Sequence, residues 1–258
     1  MVEIAAIRNL GACRIESPLG TRARLDGDQP RFVSDDERVL FDDTQEAIEE
    51  HLSAGRSLPG FEVAGAREYI YFDATKLKVG IVTCGGLCPG LNNVIAGLVQ
   101  ELRALYGVHH IFGFRNGYQG FIAEYGHDIV DLSELDVQPL RGQGGTILGT
   151  SRGNQNPQEI VDCLEREGIG VLFVIGGDGT LRGAEAIAGE IGKRGAKIAI
   201  VCVPKTIDND IPYIDQSFGF HSAFSEAAHA IRAGYVEATA AQNGISLVKL
   251  MGRYSGFI

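Results

Sequence analysis

From Lys78 onward the chain alternates short, β-branched apolar runs with longer stretches in which apolar residues recur every three or four positions. The runs predict strands at Val79–Thr83, His109–Phe114, Val171–Ile175, Ile198–Val203 and Ser246–Leu250. The helical period predicts helices over Asn92–Leu105, Pro157–Glu167, Leu181–Lys193 and Ser222–Ala238. In the last of these, Ala223, Phe224, Ala227, Ile231 and Tyr235 fall at helical spacing and are expected to form a buried stripe. Such alternation builds βαβ units, so the expected class is α/β with a doubly wound, mainly parallel sheet. Residues 1–75 differ: acidic blocks at Asp35-Asp36-Glu37 and Asp42-Asp43, Gly and Pro interruptions and weak periodicity read as an extension with one short helix around Thr44–Ala54.

Composition narrows the classes. The chain has 35 glycines in 258 residues, about twice the usual ~7%, with no triplet period and only 8 prolines, so the glycines serve backbone geometry rather than a collagen-like or disordered chain. The longest apolar run, Ile198–Val203, is far too short to span a bilayer. A net charge of −10 gives no global field for nucleic acid or anionic lipid, so any phosphate must be bound locally. The N-terminus lacks the basic and apolar regions of a signal peptide. Cys13, Cys84, Cys88, Cys163 and Cys202 are odd in number and fit reduced thiols of a cytoplasmic protein. No second Cys or His pair accompanies Cys84 and Cys88 at zinc-ligand spacing.

Three predicted strands run straight into turns that carry chemistry, and ligands of open parallel sheets bind beyond the carboxyl ends of strands. After the first comes Cys84-Gly85-Gly86-Leu87-Cys88-Pro89-Gly90, either a phosphate cradle at a helix N-terminus or a tight turn needing positive φ. After the third comes Gly176-Gly177-Asp178-Gly179-Thr180, with room for a polyphosphate and an acid able to hold Mg²⁺. It matches neither the Gly-x4-Gly-Lys-Ser/Thr loop nor strict Gly-x-Gly-x-x-Gly. After the fourth comes Pro204-Lys205-Thr206-Ile207-Asp208-Asn209-Asp210, a concentration of polar groups that is costly beside a buried strand unless a ligand or charge network compensates. A carboxylate there can take the proton of a substrate hydroxyl. Gly149-Thr150-Ser151-Arg152-Gly153 supplies an Arg able to grip a phosphoryl group, and Met251-Gly252-Arg253 follows the last predicted strand.

Together these motifs, in this order from Lys78 to the end, resemble 6-phosphofructokinases. The extension ending in Glu68-Tyr69-Ile70-Tyr71-Phe72 resembles that of the long, plant-like and protist-like ATP-using branch. The resemblance implies that Gly86, Arg152, Gly153 and Gly177, Asp178, Gly179 and Thr180 contact ATP, with Asp178 on Mg²⁺. It implies that Thr206, Ile207 and Asp208 lie at the 1-hydroxyl of fructose 6-phosphate, with Asp208 as general base and Arg152 on the transferring phosphoryl group. Met251, Gly252 and Arg253 would bind the sugar phosphate.

The donor rests on two positions. Gly179 leaves space for the α-phosphate of ATP, where an Asp typical of pyrophosphate-using relatives would crowd and repel it, whereas Lys205 is the pyrophosphate-type residue. Gly179 is expected to decide for ATP, because like-charge exclusion removes a donor outright. Gly244 stands where short bacterial members carry an Arg that reaches a neighbouring subunit's substrate. The expected organisation is an extension (1–75), a nucleotide-binding domain (76–217) and the start of an incomplete sugar-phosphate domain (218–258). The chain is expected to be the N-terminal part of a protein that is a homo-oligomer when complete, with no nucleic-acid or membrane partner. The rivals are a pyrophosphate-dependent enzyme, an NAD or lipid kinase sharing Gly-Gly-Asp-Gly-Thr, and a non-catalytic sugar-phosphate-binding subunit, which would be expected to lack Asp178 or Asp208.

Overall fold

The computed structural model describes residues 9–20, 31–40, 42–252 and 256–258, which form two compact units. The described residues up to Lys76, with Ala104–Gly107, make the first. Here β1 (Ile15–Glu16) pairs antiparallel with β4 (Tyr69–Ile70), and β2 (Arg38–Leu40) with β3 (Gly60–Glu62). The expected short helix is α1 (Gln45–Ser53), whose N-cap Thr44 accepts a hydrogen bond from the Ala47 amide.

The second unit is built on a five-stranded sheet of order β7-β6-β5-β8-β9. Its strands are β5 (Lys78–Thr83), β6 (His110–Phe114), β7 (Ile129–Asp131), β8 (Val171–Gly176) and β9 (Ala199–Pro204). β5, β6, β8 and β9 are mutually parallel, and β7 adds an antiparallel edge. β5 and β8 lie between other strands, which is why their sequences are nearly continuous apolar runs. The chain leaves β5 toward β6 through α2 (Leu91–Ala104) and leaves β8 in the opposite direction through α4 (Asp178–Arg194). Right-handed crossovers in opposite directions place helices on both faces and open a crevice where the winding reverses, at the carboxyl ends of β5 and β8.

The sheet face formed by Val82, Phe114, Leu172 and Val174 packs with Ile160, Val161 and Leu164 of α3 (Pro157–Glu167) and with Ala184, Ile187 and Ile191 of α4. α3 has the bounds its sequence announces. Asn156 caps the Gln158 amide at 3.0 Å, Pro157 occupies the first turn, and Gly168 ends the helix in the left-handed region.

Two expectations fail in this unit. Residues 246–250 form no strand, and the apolar positions that alternate there, Ile245 and Leu247, are each 94% exposed. A period of two produces a strand only where a sheet edge supplies the hydrogen-bond partners, and no described strand pairs with this segment. The second is the stripe of α5 (Phe220–Ala240), a helix that buries no residue. Its Phe224, Ile231 and Tyr235 stand exposed, because periodicity marks a face able to bury but does not supply the element that covers it.

Gly80 illustrates how closely β5 is packed: a Cβ there would lie 2.8 Å from the Phe114 ring and 3.0 Å from Leu172 Cδ1. Phe114 is itself stacked on Phe121 at 4.1 Å. Gly80→Ala is therefore expected to cost about 1–3 kcal/mol through overpacking, read as a lowered denaturant midpoint at unchanged slope.

Candidate active site

The β5–β8–β9 ladder ends in register, so the loops beyond it begin side by side. Thr83 stands opposite Ile175, and Gly176 opposite Pro204. Two further hydrogen bonds carry the ladder into the loops: the Cys84 amide to the Ile175 carbonyl (2.8 Å) and the Lys205 amide to the Gly176 carbonyl (2.9 Å).

The first loop turns at Gly85, whose φ of +85° favours glycine. It is bound to the Gly149–Gly153 segment: the Gly85 amide donates to the Ser151 carbonyl (2.9 Å), and the Thr150 hydroxyl donates to the Gly85 carbonyl (2.7 Å). Beneath them, the buried Thr83 hydroxyl donates to the Gly149 carbonyl at 2.7 Å. These bonds bring Arg152 beside Gly86, where a Cβ would lie 3.3 Å from its Nη2. Arg152 and Gly153 are exposed.

The second loop opens α4. Gly177 is the N-cap and provides no side-chain cap, so the first amides of α4 remain available to an anion. Gly176 is required by close approach, since a Cβ would lie 2.4–2.5 Å from the Thr180 side chain. A Cβ at Gly179, by contrast, would meet nothing within 4 Å, so this position borders open space. Asp178 is exposed at the start of the helix and pairs with Arg182 at 2.9 Å.

The third loop closes on itself. The Thr206 hydroxyl donates to Asp210 Oδ1 (2.6 Å) and accepts from the Asp208 amide (3.2 Å). Asn209, in the left-handed region at φ 52°, accepts from the Ser217 amide (2.7 Å) and donates to the Asp215 carbonyl (3.1 Å). The Ser217 hydroxyl donates to the Thr206 carbonyl. Ile207 is half-buried between the two polar residues. Asp208 Oδ1 is buried with no hydrogen-bond partner among the described residues, a costly state for a carboxylate oxygen unless a ligand completes it. Gly252 reaches this atom, a Cβ there lying 3.7 Å from it; Met251 is exposed, and Arg253 lies outside the described residues.

Lys205 crosses between loops. It is only 6% exposed, and its ammonium donates to the Gly86 carbonyl at 2.6 Å. Burial lowers its pKa, opposed by Cys88, Cys84 and Asp208 and assisted by the positive charge of Arg152. The structure thus gathers Gly86, Arg152, Lys205, the start of α4, Asp208 and Gly252 at one end of the sheet.

Of two residues that hold the site, one lies outside the sequence motifs and the other inside one, with a role the motif does not announce. The Tyr118 hydroxyl donates to the Thr180 carbonyl at 2.7 Å, and a Cβ on Gly183 would lie 2.6 Å from the Tyr118 ring. The other is Thr150, whose hydroxyl holds the Gly85 carbonyl. Both act on main-chain carbonyls, a role with no spacing signature; the flanking Gly117 and Gly120 around Tyr118 were the available cue.

A doubly wound sheet whose glycine loops and uncapped helix start meet where the winding reverses, beside a carboxylate oxygen with no partner among the described residues, defines an α/β protein of the kind that binds ligands beyond the carboxyl ends of its strands. Residues 78–258 match the family model for phosphofructokinase, and the chain belongs to that family. It is 51% identical over 252 residues to an ATP-dependent 6-phosphofructokinase of Amycolatopsis methanolica, covering 98% of this chain and 55% of that one. With ATP-dependent 6-phosphofructokinase 1 of Arabidopsis thaliana it shares 48% identity over 242 residues, 94% of this chain and 49% of the relative. The chain thus spans about half the length of these curated relatives. Among solved structures, a pyrophosphate-dependent phosphofructokinase from Marinobacter aquaeolei aligns over 63% of this chain and 42% of its own, with TM-score 0.56 and 25% identity. Pichia pastoris phosphofructokinase in the T-state aligns over 72% and 21%, with TM-score 0.57 and 26% identity.

The thiols of the first loop are reserved for packing. Cys84 is 4% exposed, and burial pushes its pKa up to about 12; burial also raises that of Cys88, whose thiol donates to the Phe218 carbonyl at 3.2 Å. Because the thiolate is the reactive form, iodoacetamide at pH 8 is expected to label exposed Cys13 while sparing Cys84 and Cys88 in the native chain, as peptide mass mapping would show.

Proposed function

We propose that this chain carries the donor site and the general base of an enzyme that transfers the γ-phosphoryl group of MgATP to the 1-hydroxyl of D-fructose 6-phosphate. The observation that carries this reading is the buried Oδ1 of Asp208, which has no hydrogen-bond partner among the described residues and is set beside the glycine loops at the carboxyl ends of β5 and β8. In the reaction Asp208 takes the proton of the 1-hydroxyl as its oxygen forms a bond to the γ-phosphorus. The bond from that phosphorus to the bridging oxygen breaks, and ADP leaves. The free amides at the start of α4 and the guanidinium of Arg152 bear the charge spread over the phosphoryl oxygens. Thr206 stays committed to Asp210 and the Asp208 amide, so its part is to set the base loop.

Mg²⁺ bound with the nucleotide neutralises phosphate charge and orients the γ-group. Asp178 suits it: one exposed carboxylate at a helix start offers a hard oxygen ligand, and no group of three or more His, Cys, Asp or Glu forms a closed cage among the described residues. A metal that arrives on substrate phosphates needs only one or two such ligands. Gly177 and Thr180 contribute the turn at the nucleotide, Met251 and Gly252 with Arg253 the approach of the sugar phosphate, and residues from 218 the opening of the domain that holds it. The reduced thiols fit a cytoplasmic enzyme.

Asp208→Asn, in a chain of full family length, is expected to lower kcat by about 10²–10⁴-fold with MgATP affinity retained; a loss below tenfold contradicts the base assignment. The donor is ATP, supported by the open space at Gly179 and by the names of the sequence relatives quoted above. Gly179→Asp would place a carboxylate in that space. It is expected to abolish use of ATP while sparing pyrophosphate, as kcat/KM for each donor at fixed Mg²⁺ would report; a parent preference for pyrophosphate would assign donor choice to Lys205.

A further inference from the structure

The first loop holds two successive carbonyls in place from outside itself. The Gly85 carbonyl accepts the Thr150 hydroxyl (2.7 Å), and the Gly86 carbonyl accepts the Lys205 ammonium (2.6 Å). Both donors are anchored. The Lys205 amide is bonded to Gly176 at the end of the ladder, and Thr150 lies between Gly149, whose carbonyl is bonded to Thr83, and Ser151, whose carbonyl is bonded to Gly85. In a planar trans peptide the carbonyl of one residue and the N–H of the next point in opposite directions. Fixing the Gly85 and Gly86 carbonyls therefore fixes the opposite heading of the Gly86 and Leu87 N–H groups. Neither N–H has a hydrogen-bond partner among the described residues, whereas the amides just before them, Cys84 and Gly85, are both bonded.

We infer that Lys205 and Thr150 are positioning residues that aim the Gly86 and Leu87 amides as an anion-binding pair. On this view one N–H of the Lys205 ammonium is spent on the protein's own main chain, and the residue acts on both donors through the loop. The inference rests on the phosphofructokinase reading for the identity of the anion, a terminal phosphate of the donor. It stands apart from that reading for the mechanics of the loop. The ammonium lies against the same turn: a Cβ on Gly85 would lie 3.5 Å from Nζ. The buried thiols of Cys84 and Cys88 line the same region as Arg152 and Asp208.

The test is Lys205→Met, which keeps the length of the side chain and removes its donor. It is read first in the absence of ligand by amide hydrogen exchange of Cys84 and Gly85, with Ile81 and Val82 in β5 as internal controls. Exchange at Gly85 is expected to accelerate by roughly tenfold or more, with the β5 controls unchanged. The dissociation constants for MgATP and for inorganic pyrophosphate are expected to rise by a common factor of about ten. Unchanged exchange at Gly85, or weakening toward one donor alone, overturns the inference. Should Lys205→Met fail to fold, Thr150→Val carries the same test on the Gly85 carbonyl, and unaltered exchange there overturns it equally. If the parent chain binds neither probe, the kinase reading fails while the exchange result still decides the role of Lys205.

Discussion

The site depends on one constraint, the shared register in which β5, β8 and β9 end. Because Thr83 faces Ile175 and Gly176 faces Pro204, the loops beyond these strands start at the same height and are joined by the Cys84–Ile175 and Lys205–Gly176 hydrogen bonds. A slip of one residue in any of the three strands would turn its side chains to the opposite face and displace its loop. In β5 and β8 packing opposes the slip, since Val79, Ile81 and Val82 of β5 and Leu172, Val174 and Ile175 of β8 are essentially inaccessible to solvent; β9, at the edge, is held by its ladder to β8.

From this register the chemistry follows in layers. The β8 loop contributes free amides at the start of α4, held by the hydrogen bond of Tyr118 to Thr180. The β5 loop contributes further free amides, and Thr150 brings Arg152 alongside. The β9 loop turns Asp208 inward and leaves one of its oxygens without a partner among the described residues. With a net charge of −10, the positive potential for any phosphorylated ligand must come from such local sources rather than from the molecule's overall field.

Much of this was legible in the sequence where one element alone determines the outcome. Pro157–Glu167 carries its own cap, first-turn proline and terminal glycine, and its bounds agree with expectation. The parallel strands agree within one residue at each end: the runs of β5 and β8, buried on both faces, have few alternatives, and β9 follows as the apolar run that pairs with β8 at the edge. Elements that depend on a distant partner were not legible. Ile129–Asp131 becomes a strand because Phe112–Phe114 offers it an antiparallel edge, and Arg38–Leu40 because Gly60–Glu62 lies opposite. The same dependence explains Ser246–Leu250 and the α5 stripe, where pattern was present and partner was not. In the site, glycines and carboxylates announced themselves by spacing, while Tyr118, outside the motifs, and Thr150, inside the Gly149–Gly153 motif, act on main-chain carbonyls, a role visible only in three dimensions.

We propose that the carboxyl-end loops of β5 and β8 form a single donor site. The most direct test is amide chemical-shift mapping of the chain during titration with a non-hydrolysable MgATP analogue. The account predicts that the largest shifts cluster at Gly86–Leu87, Arg152–Gly153 and Gly177–Leu181. Shifts confined to the opposite, amino-terminal end of the sheet, or to the β1–β4 and β2–β3 ladders, would contradict it.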